Sequence, residues 1–385
     1  MKKENSLELV GNKITHQRTT NATNIHKTKH CLSLKKLFSF FNWLAVLLMW
    51  GCAASVYIDP SIYGKYFSVI GLTFPIWAAA VLFMTVITLL FQPKMVWIPL
   101  VGFVGCYGSI RDYCPINLSS PPPKRAWKVM SYNTMSFGNW KKDEQTGEYE
   151  VARYICSQQP DIACLQEIAF RNDEDHEMVQ RTVKSYKLHI DWSFVGGSKV
   201  GVISKFPIVK NEMICHSECN GAVAFYLTPK AKDTLVVVCA HLESMRLSKE
   251  ERSNYKEIVE NPEQIDEVHG KLSLIKKIAT GGKERAFQTD TLMNFLDKHA
   301  HNKIILMGDF NDTPISYAHH MMCSRLTDAY RATGNGIGRS FNKDAIYVRI
   351  DNIFCSSHFK PYAVKVDDSV PFSDHYPIIG YLKEQ

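Results

Sequence analysis

Two long runs without a charged residue constrain this chain more than any other feature of its sequence. Leu37–Ile58 has 22 residues and Tyr66–Phe91 has 26. A helix needs roughly 20 apolar residues to cross a hydrocarbon core of about 30 Å. Both runs therefore predict membrane-spanning helices within a transmembrane region, residues 37–110. The first run lies too far from the N-terminus, and too close to the second, for a cleaved signal peptide, so it is expected to be an anchor.

A third uncharged stretch, Met95–Ile110, leaves the number of spans open. Its 16 residues reach only about 24 Å at about 1.5 Å per helical residue. Such a stretch either crosses the membrane or forms an interfacial or re-entrant segment. The sequence therefore predicts two or three transmembrane helices.

The distribution of charge predicts how these helices are oriented. Residues 1–36 form a basic tail with eight Lys or Arg and two Glu, whereas Asp59–Phe67, between the two runs, holds a single Lys. Basic flanks stay on the cytoplasmic side of a membrane, so the N-terminus is expected there. The chain is predicted to be a multi-pass membrane protein. Its C-terminal region lies outside the cytoplasm if three segments cross and in the cytoplasm if two cross.

The region that follows is predicted to be one large folded domain. Residues 111–125 form a Pro-rich linker, because consecutive prolines favour an extended chain. Residues 126–385 are numerous enough for a single large core. Residues 111–385 carry 35 basic and 35 acidic residues. This balance disfavours a nucleic-acid binder that works through a highly basic domain.

Short β-branched runs alternate with helical patterns in this domain. Strands are predicted at Trp127–Asn133, Asp161–Ile168, Val200–Ser204, Ala222–Leu227, Thr234–Leu242, Lys303–Met307, Ile350–Cys355 and Tyr376–Leu382. Helices are predicted at Glu148–Ser157, Glu177–Lys187 and Phe287–His299. Several strands are almost entirely apolar, which is typical of sheets buried on both faces. The pattern therefore predicts an α/β fold, a layered α/β sandwich.

The stretch at about 248–283 interrupts this pattern with a high density of Glu and Lys. Apolar residues at helical spacing within it predict a helical insertion. We expect a solvated pair of helices packed along one narrow apolar stripe. A lid over the site and a contact with the membrane surface are the alternatives.

Polar residues end several of the predicted strands and supply many oxygen ligands. Asn133 and Glu167 end the first two, Asp309 and Asn311 follow Lys303–Met307, and Asp374 precedes the last. Carboxylate and amide oxygens suit Mg²⁺ or Mn²⁺. Zinc is disfavoured, because no Cys cluster or paired-His motif lies beside these residues.

Two histidines at strand boundaries add acid/base chemistry to this set. His241 and His375 sit beside the oxygen ligands in the sequence, and Asp351 is suited to orient a histidine. A carboxylate that accepts from an imidazole fixes the ring and favours its protonated form. The sequence therefore contains a candidate acid/base pair.

Six short motifs together resemble the endonuclease/exonuclease/phosphatase superfamily, which includes pancreatic deoxyribonuclease. They occur in the family's order as Ser131-Tyr-Asn133, Leu165-Gln-Glu167, Ala240-His-Leu242, Gly308-Asp-Phe-Asn311, Ile350-Asp351 and Ser373-Asp-His375. The resemblance covers about residues 126–385. It implies a four-layered α/β sandwich, in which two packed mixed β-sheets are flanked by helices with the site at one edge. The N-terminal spans and the insertion are similar to those of membrane-anchored bacterial members.

The resemblance also implies a role for each residue. Glu167 would be the principal metal ligand, with Asn133 and Asp374 completing or supporting the metal site. Asp309 would align or deprotonate the attacking water, and Asn311 would hold a phosphate oxygen. His375, held by Asp351, and His241 would donate hydrogen bonds or protons to the phosphate, because the charge that grows on phosphorus must be offset by metal and donors.

These expectations combine into one functional hypothesis. The chain is predicted to be a membrane-anchored, Mg²⁺-dependent phosphoesterase that uses activated water on a phosphodiester or phosphomonoester. The alternatives are an endo- or exonuclease acting on nucleic acid and a catalytically silent binding module on the same fold. The expected partners are the lipid bilayer, through the N-terminal helices, and a phosphate ester that is a lipid, a small molecule or a nucleic acid. No obligate protein partner is predicted.

Overall fold

In a computed structural model of the chain, residues 35–231, 233–245, 268–343 and 348–385 are described. They divide into two compact units. One comprises residues 35–50 and 75–105, and the other comprises residues 51–74 together with the described residues from 106 onward.

Apolar helices occupy the predicted membrane-spanning runs. α1 covers Lys35–Tyr57 and α2 covers Phe67–Phe91, and both are long and apolar enough to cross a membrane. A shorter apolar helix, α3, covers Pro93–Gly105 within the third uncharged stretch. Only 28% of the most apolar part of α1 and 17% of that of α2 are buried.

The predicted linker is shorter in the structure than in the sequence analysis. Helix α4, Tyr107–Tyr113, extends into its first residues, and irregular chain follows. Asn117 in this irregular stretch donates its side-chain amide to the carbonyls of Arg331, at 3.1 Å, and Gly334, at 2.6 Å. The linker is therefore bonded to the domain that follows it.

Two six-stranded mixed sheets form the C-terminal domain. The strands are β1 Trp127–Asn133, β2 Ile162–Gln166, β3 His189–Val195, β4 Ser198–Ser204, β5 Ile208–His216, β6 Gly221–Lys230, β7 Asp233–His241, β8 Lys303–Asp309, β9 Thr327–Asp328, β10 Asp351–Cys355, β11 Phe359–Val366 and β12 Ile378–Glu384. The first sheet has the order β11-β12-β1-β2-β4-β3 and the second β5-β6-β7-β8-β10-β9. β1 and β2 are parallel, as are β7 and β8, and the other neighbours are antiparallel.

Helices cover the outer faces of both sheets. They are α5 Glu150–Ser157, α6 Asp173–Ser185, α7 Val268–Lys298 and α8 Tyr317–Cys323. The short helix α9, Ala329–Thr333, instead contributes Ala329 and Tyr330 to the cluster between the sheets. A turn of left-handed backbone, Met135–Trp140, follows β1. The described part of the predicted insertion, from residue 268, is continuous with the helix predicted at Phe287–His299. The rest of the insertion lies outside the described residues.

Alternate side chains along each central strand enter different cores. Val129 of β1 and Val237 of β7 belong to the cluster between the two sheets. Met130 faces α5 and α6 on one outer side, whereas Val238 faces α7 and α8 on the other. Because successive side chains of a strand point to opposite faces, each sheet is buried on both sides. The four-layered α/β sandwich predicted above is confirmed.

The four strands that were not predicted are the edge strands of the two sheets. All eight predicted strands are present, whereas β3, β5, β9 and β11 were not predicted. Most side chains of β5 are exposed, and β11 carries Pro361 and a bulge after Tyr362. Edge strands tolerate proline and polar side chains, so they lack the apolar signal used to find strands.

Candidate active site

The strand pairing brings polar strand ends to one edge of the sandwich. Asn133 ends β1 in register with Gln166 of β2. His241 ends β7 opposite Asp309 of β8, and Asp309 is also opposite Asp351, the first residue of β10. Neighbouring ends of paired strands lie at the same edge of a sheet. Residues distant in sequence therefore meet there.

Asn133 connects the two acidic groups of the site. Its amide nitrogen Nδ2 lies 3.0 Å from Oε1 of Glu167 and 3.1 Å from Oδ2 of Asp309. Its oxygen Oδ1 accepts from the backbone N–H of Met135 at 3.2 Å, which fixes the orientation of the amide. The donor side of Asn133, rather than its oxygen, therefore faces the carboxylates. In this geometry the amide of Asn133 holds the two carboxylates in position.

Glu167 differs from the other acidic residues in its access to solvent. Its side chain is 39% exposed, whereas that of Asp309 is 1% exposed. Glu167 directly follows β2 and has φ +53°. A non-glycine residue in this region costs of order 1 kcal/mol and persists only where the surroundings hold it. Glu167 is therefore the carboxylate of this pair that an ion from solvent reaches.

His241 lies between the same two carboxylates. Its Nε2 is 3.7 Å from Oε1 of Glu167 and 3.7 Å from Oδ2 of Asp309. Both distances exceed a normal hydrogen bond. The ring is buried, and its Nδ1 has no partner among the described residues. His241 thus faces the carboxylates without a direct hydrogen bond to either.

His375 and Asp351 form a buried pair on the other side of Asp309. Nδ1 of His375 lies 2.8 Å from Oδ2 of Asp351, and its Nε2 lies 3.6 Å from Oδ2 of Asp309. Burial disfavours the imidazolium, but the charges of Asp351 and Asp309 outweigh burial and raise the pKa of His375 to about 10. Burial, and then the charge of Asp351, also raise the pKa of Asp309, while His375 opposes this rise.

Hydrogen bonds link the two remaining predicted residues, Asn311 and Asp374, or their neighbours to the same edge. The backbone N–H of Asn311 donates to Oδ1 of Asp309 at 2.8 Å, and its side chain donates to the carbonyl of Leu242 at 2.9 Å. Asp374 is half-buried. The hydroxyl of its neighbour Ser373 donates to the carbonyl of Asn133 at 2.8 Å.

Arg285, which the sequence analysis did not single out, forms hydrogen bonds to the chain just after His241 and just after Asn311. It projects from α7 and is almost fully buried. It donates to the carbonyl of Glu243 at 2.9 Å and to the carboxylate of Asp312 at 2.9 Å. An arginine within a charged helical stretch carries no local signal of such a role, because its partners lie 27 and 42 residues away.

Ser340 supports the acid/base pair in a similar way. Its hydroxyl accepts from the backbone N–H groups of Ile350, at 3.0 Å, and Asp351, at 3.1 Å. The adjacent Phe341 stacks edge-on against His375, with ring centroids 5.1 Å apart. These contacts fix the start of β10 beside the last strand.

Two groups of acidic and sulfur or histidine ligands in the described chain are close enough to hold a metal ion. One is Asp309, Asp351 and His375, a set that differs from the predicted ligands Asn133, Glu167 and Asp374. It is fully buried, and the bond between Asp351 and His375 already uses one ligand atom of each. Glu167, whose carboxylate is accessible to solvent, lies outside this group.

The second group consists of His319, Cys323 and Asp328. Asp328 already binds His319 at 3.0 Å and the guanidinium of Arg349 at 3.0 Å, with all three side chains buried. An arginine beside a carboxylate neutralises it and repels a cation. This group is therefore a buried ion-pair network.

Comparisons with known proteins agree with this architecture. Residues 130–375 match the model of the Endonuclease/Exonuclease/phosphatase family. Residues 35–113 match a second model, described as Domain of unknown function (DUF8431). No curated protein matches the chain significantly.

Several solved structures are similar to this chain over about two thirds of its length. An endonuclease/exonuclease/phosphatase from Beutenbergia cavernae is 17% identical over 68% of this chain and 72% of its own, with a TM-score of 0.46. The human Nocturnin catalytic domain with bound sulfate is 16% identical over 70% and 96%, with a TM-score of 0.46. D. rerio TDP2 complexed with a single-strand DNA product is 16% identical over 68% and 100%, with a TM-score of 0.46.

The assignment itself rests on the family model, which matches more than half of the chain. By that match, the chain belongs to the Endonuclease/Exonuclease/phosphatase family.

Proposed function

We propose that this chain is a membrane-anchored, divalent-metal-dependent phosphoesterase that hydrolyses a phosphodiester or a phosphomonoester by attack of water. Members of its family are generally hydrolases of phosphate esters. The observation that carries the proposal is the meeting of Glu167, Asp309 and the His375–Asp351 pair at one edge of the sandwich.

The donor set fits a hard divalent cation. Glu167 offers an accessible carboxylate, and Asp374 is half-buried at the same edge. Mg²⁺ and Mn²⁺ prefer oxygen ligands and keep several waters when one or two carboxylates hold them. Such an ion, when bound, polarises a phosphoryl oxygen and lowers the pKa of water. Family enzymes generally use divalent metals, and we propose Glu167 and Asp374 as the ligands here.

The buried residues activate the water and donate to the phosphate. Asp309 holds the attacking water and accepts its proton. The amide of Asn133 and the backbone N–H of Asn311 keep the two carboxylate oxygens of Asp309 oriented. His375, kept cationic by Asp351, donates from Nε2 to a phosphate oxygen. His241 donates on the opposite side of Asp309. Preorganised donors of this kind stabilise the charge that develops in the transition state.

The proposed organisation places this domain next to the membrane. The basic tail is residues 1–36, the transmembrane region residues 37–110, the linker residues 111–125 and the catalytic domain residues 126–385. The apolar, poorly buried α1 and α2 support anchoring. Attachment to a bilayer favours a phospholipid or another surface-held substrate, and the neutral charge balance of residues 111–385 weighs against duplex nucleic acid.

A substrate panel with divalent metal tests the proposal. The full chain, purified in detergent and reconstituted in lipid nanodiscs, is assayed on phospholipids, inositol phosphates, simple phosphoesters, RNA and DNA, with Mg²⁺, Mn²⁺ or EDTA. We expect EDTA to abolish the activity. Glu167→Gln and His375→Ala should each lower it by about 10²–10⁴. The exposed Glu177→Gln and His189→Ala serve as matched controls.

The outcomes separate the rival functions. Preference for a nucleic acid over every other phosphoester would make the chain a nuclease. Absence of divalent-dependent activity on the whole panel, with Glu167→Gln and His375→Ala behaving like wild type, would leave a silent binding module and reject the proposal.

A further inference from the structure

We infer that the chain crosses the membrane three times, so that the domain at residues 126–385 lies on the opposite side from the N-terminal tail and outside the cytoplasm. This inference rests on the membrane anchoring proposed above. It follows from the directions of three apolar helices and from the side of the domain on which the segment between α1 and α2 is held.

The second helix returns antiparallel to the first. Near the start of α1, Oδ1 of Asn42 accepts a hydrogen bond at 3.2 Å from the hydroxyl of Thr88, near the end of α2. Both residues are buried in the described structure. A polar contact of this kind holds helices together within a bilayer, where no water competes for it. The tail and the end of α2 at Phe91 are therefore on the same membrane side.

The third helix runs in the direction of the first. Near the start of α3, Trp97 packs edge-on against Trp43 of α1, with ring centroids 5.8 Å apart. Further along both helices, Nε1 of Trp50 donates to the carbonyl of Gly102 at 3.0 Å. A re-entrant segment would turn back before reaching this level. Instead, α3 lies beside α1 from Trp43 to Trp50. The end of α3 therefore lies on the membrane side opposite the N-terminal tail.

Small residues permit this close contact. A Cβ atom added at Gly102 would lie 2.7 Å from Val46, and one added at Gly105 would lie 2.8 Å from the indole of Trp50. Glycines at helix interfaces are typical of membrane bundles, because they let backbones approach. The uncharged stretch Met95–Ile110 is shorter than an ideal span, but local thinning of the bilayer costs only fractions of a kcal/mol per Å. Lys94 and Arg111 flank it and can reach the headgroups.

The segment between α1 and α2, together with the adjoining helix ends, contacts the C-terminal domain. Nζ of Lys65 lies 2.9 Å from the hydroxyl of Thr280 in α7. Gly282, two residues further along α7, faces Ser68 at the start of α2 so closely that any side chain would collide with it. The ring of Tyr57, the last residue of α1, packs edge-on against His320, at 4.5 Å between centroids. This segment and the domain are therefore on the same side of the membrane.

Two crossings are incompatible with that contact. With two, the segment between α1 and α2 would lie on one side and everything after α2 on the other. Three crossings return the chain after Gly105 to the side of the segment.

The charge distribution identifies the two sides. The tail carries eight basic residues, and the start of α3 carries Lys94, whereas the segment between α1 and α2 carries one Lys and one Asp. Basic residues mark the cytoplasmic side. The domain is thus on the non-cytoplasmic side, where its substrate must be found.

Site-directed labelling of the full chain in intact cells tests the inference. The chain carries a tag at each end, and a membrane-impermeant maleimide is added before or after permeabilisation. Cys219 on the domain is exposed and should be labelled in intact cells. In the Cys219→Ser background, Tyr63→Cys should also be labelled in intact cells, and Lys94→Cys only after permeabilisation. Added protease should remove the C-terminal tag and spare the N-terminal one.

Each alternative gives a different pattern. Labelling of Cys219 only after permeabilisation, with the C-terminal tag protected, would mean two crossings and would overturn the inference. Labelling of Lys94→Cys and the N-terminal tag in intact cells would invert the orientation and overturn it as well. Release of the chain from membranes by alkaline carbonate would instead reject the anchoring itself, independently of the substrate panel.

Discussion

Asp351 accepts a hydrogen bond from Nδ1 of His375 across 2.8 Å, in a site where both side chains are buried. The pair joins the first residue of β10 to the stretch that leads into β12, so it depends on both sheets of the sandwich. Its effect is to keep an imidazole cationic where burial alone would keep it neutral. The charge of Asp351 is therefore expected to set the pH range in which the site works.

Replacement of the charged Asp351 should narrow the pH range in which the enzyme is active. With Asp351 present, the pKa of His375 is about 10, so the ring stays protonated from acid to mildly alkaline pH. In Asp351→Asn the largest cause that raises this pKa is lost while burial still lowers it, so the pKa of His375 falls. The alkaline limit of the kcat/KM profile should then shift to lower pH. The exposed Asp368→Asn is the control, and an unchanged profile in Asp351→Asn would contradict this role.

Removal of the Asn133 amide should affect catalysis more than metal binding. Asn133→Ala leaves Oδ2 of buried Asp309 without its hydrogen-bond donor, which costs about 1–3 kcal/mol. The amide oxygen of Asn133 faces Met135 rather than the carboxylates, so the metal loses no ligand. We expect a lower rate and a lower Tm but a nearly unchanged Mg²⁺ concentration for half-maximal activity. Glu167→Gln should raise that concentration instead. Equal rises in both variants would show that Asn133 is a ligand.

Arg285 should be needed for folding because of Asp312. Loss of one partner of a buried ion pair costs about 3–5 kcal/mol, since the other charge stays buried. Burial raises the pKa of Asp312 and the charge of Arg285 opposes this rise. Arg285→Leu should therefore lower the free energy of unfolding strongly, and Arg285→Leu with Asp312→Leu should recover much of it. Denaturant unfolding of the two variants measures the difference, and no recovery in the double variant would argue against the pair.

The network around His319 should make stability depend on pH. Burial lowers the pKa of His319, but Cys323 and the hydrogen bond to Asp328 outweigh it and raise the pKa to about 10. A pKa raised on folding stabilises the protein fully below about 6.5, and this stabilisation is lost as the pH rises toward about 10. Tm should therefore fall over this interval in the wild type. In His319→Gln the slope should be smaller, and an equal slope in both proteins would assign it to other groups.

The contact between Gly282 and Ser68 gives a test of how the interhelical segment is held. In Gly282→Leu the new side chain collides with Ser68 and should displace the segment at residues 57–74. Proteolysis of the full chain in detergent should then cut this segment faster than in the wild type. Gly108→Leu is the matched control, because a Cβ atom at Gly108 meets nothing within 4 Å. Equal cleavage in both variants would mean that the segment does not rely on this contact.

Much of the architecture follows from local sequence patterns. Eight strands and the two long apolar helices have strong signals, because buried strands and membrane helices both need apolar side chains. The residues that end the central strands were identified for the same reason, since a polar residue after an apolar run is conspicuous. Edge strands such as β5 carry exposed polar side chains and show no such signal.

Relationships between distant residues needed the folded chain. Sequence spacing does not show that the amide nitrogen of Asn133 faces Glu167 and Asp309, because backbone N–H groups near the site decide which way the amide turns. Nor does it link Arg285 to Asp312, whose shared burial arises only when α7 packs on the loop after β8.

The sequence by itself determined that the chain has apolar helices before an α/β domain and which residues end its strands, because hydrophobic runs and their polar ends are local properties. It left the third uncharged stretch ambiguous, since length alone does not distinguish a short span from an interfacial helix. Only the tertiary structure decided that Lys65 meets Thr280 and that Trp97 lies beside Trp43. These contacts join residues far apart in the chain, and packing rather than composition brings them together.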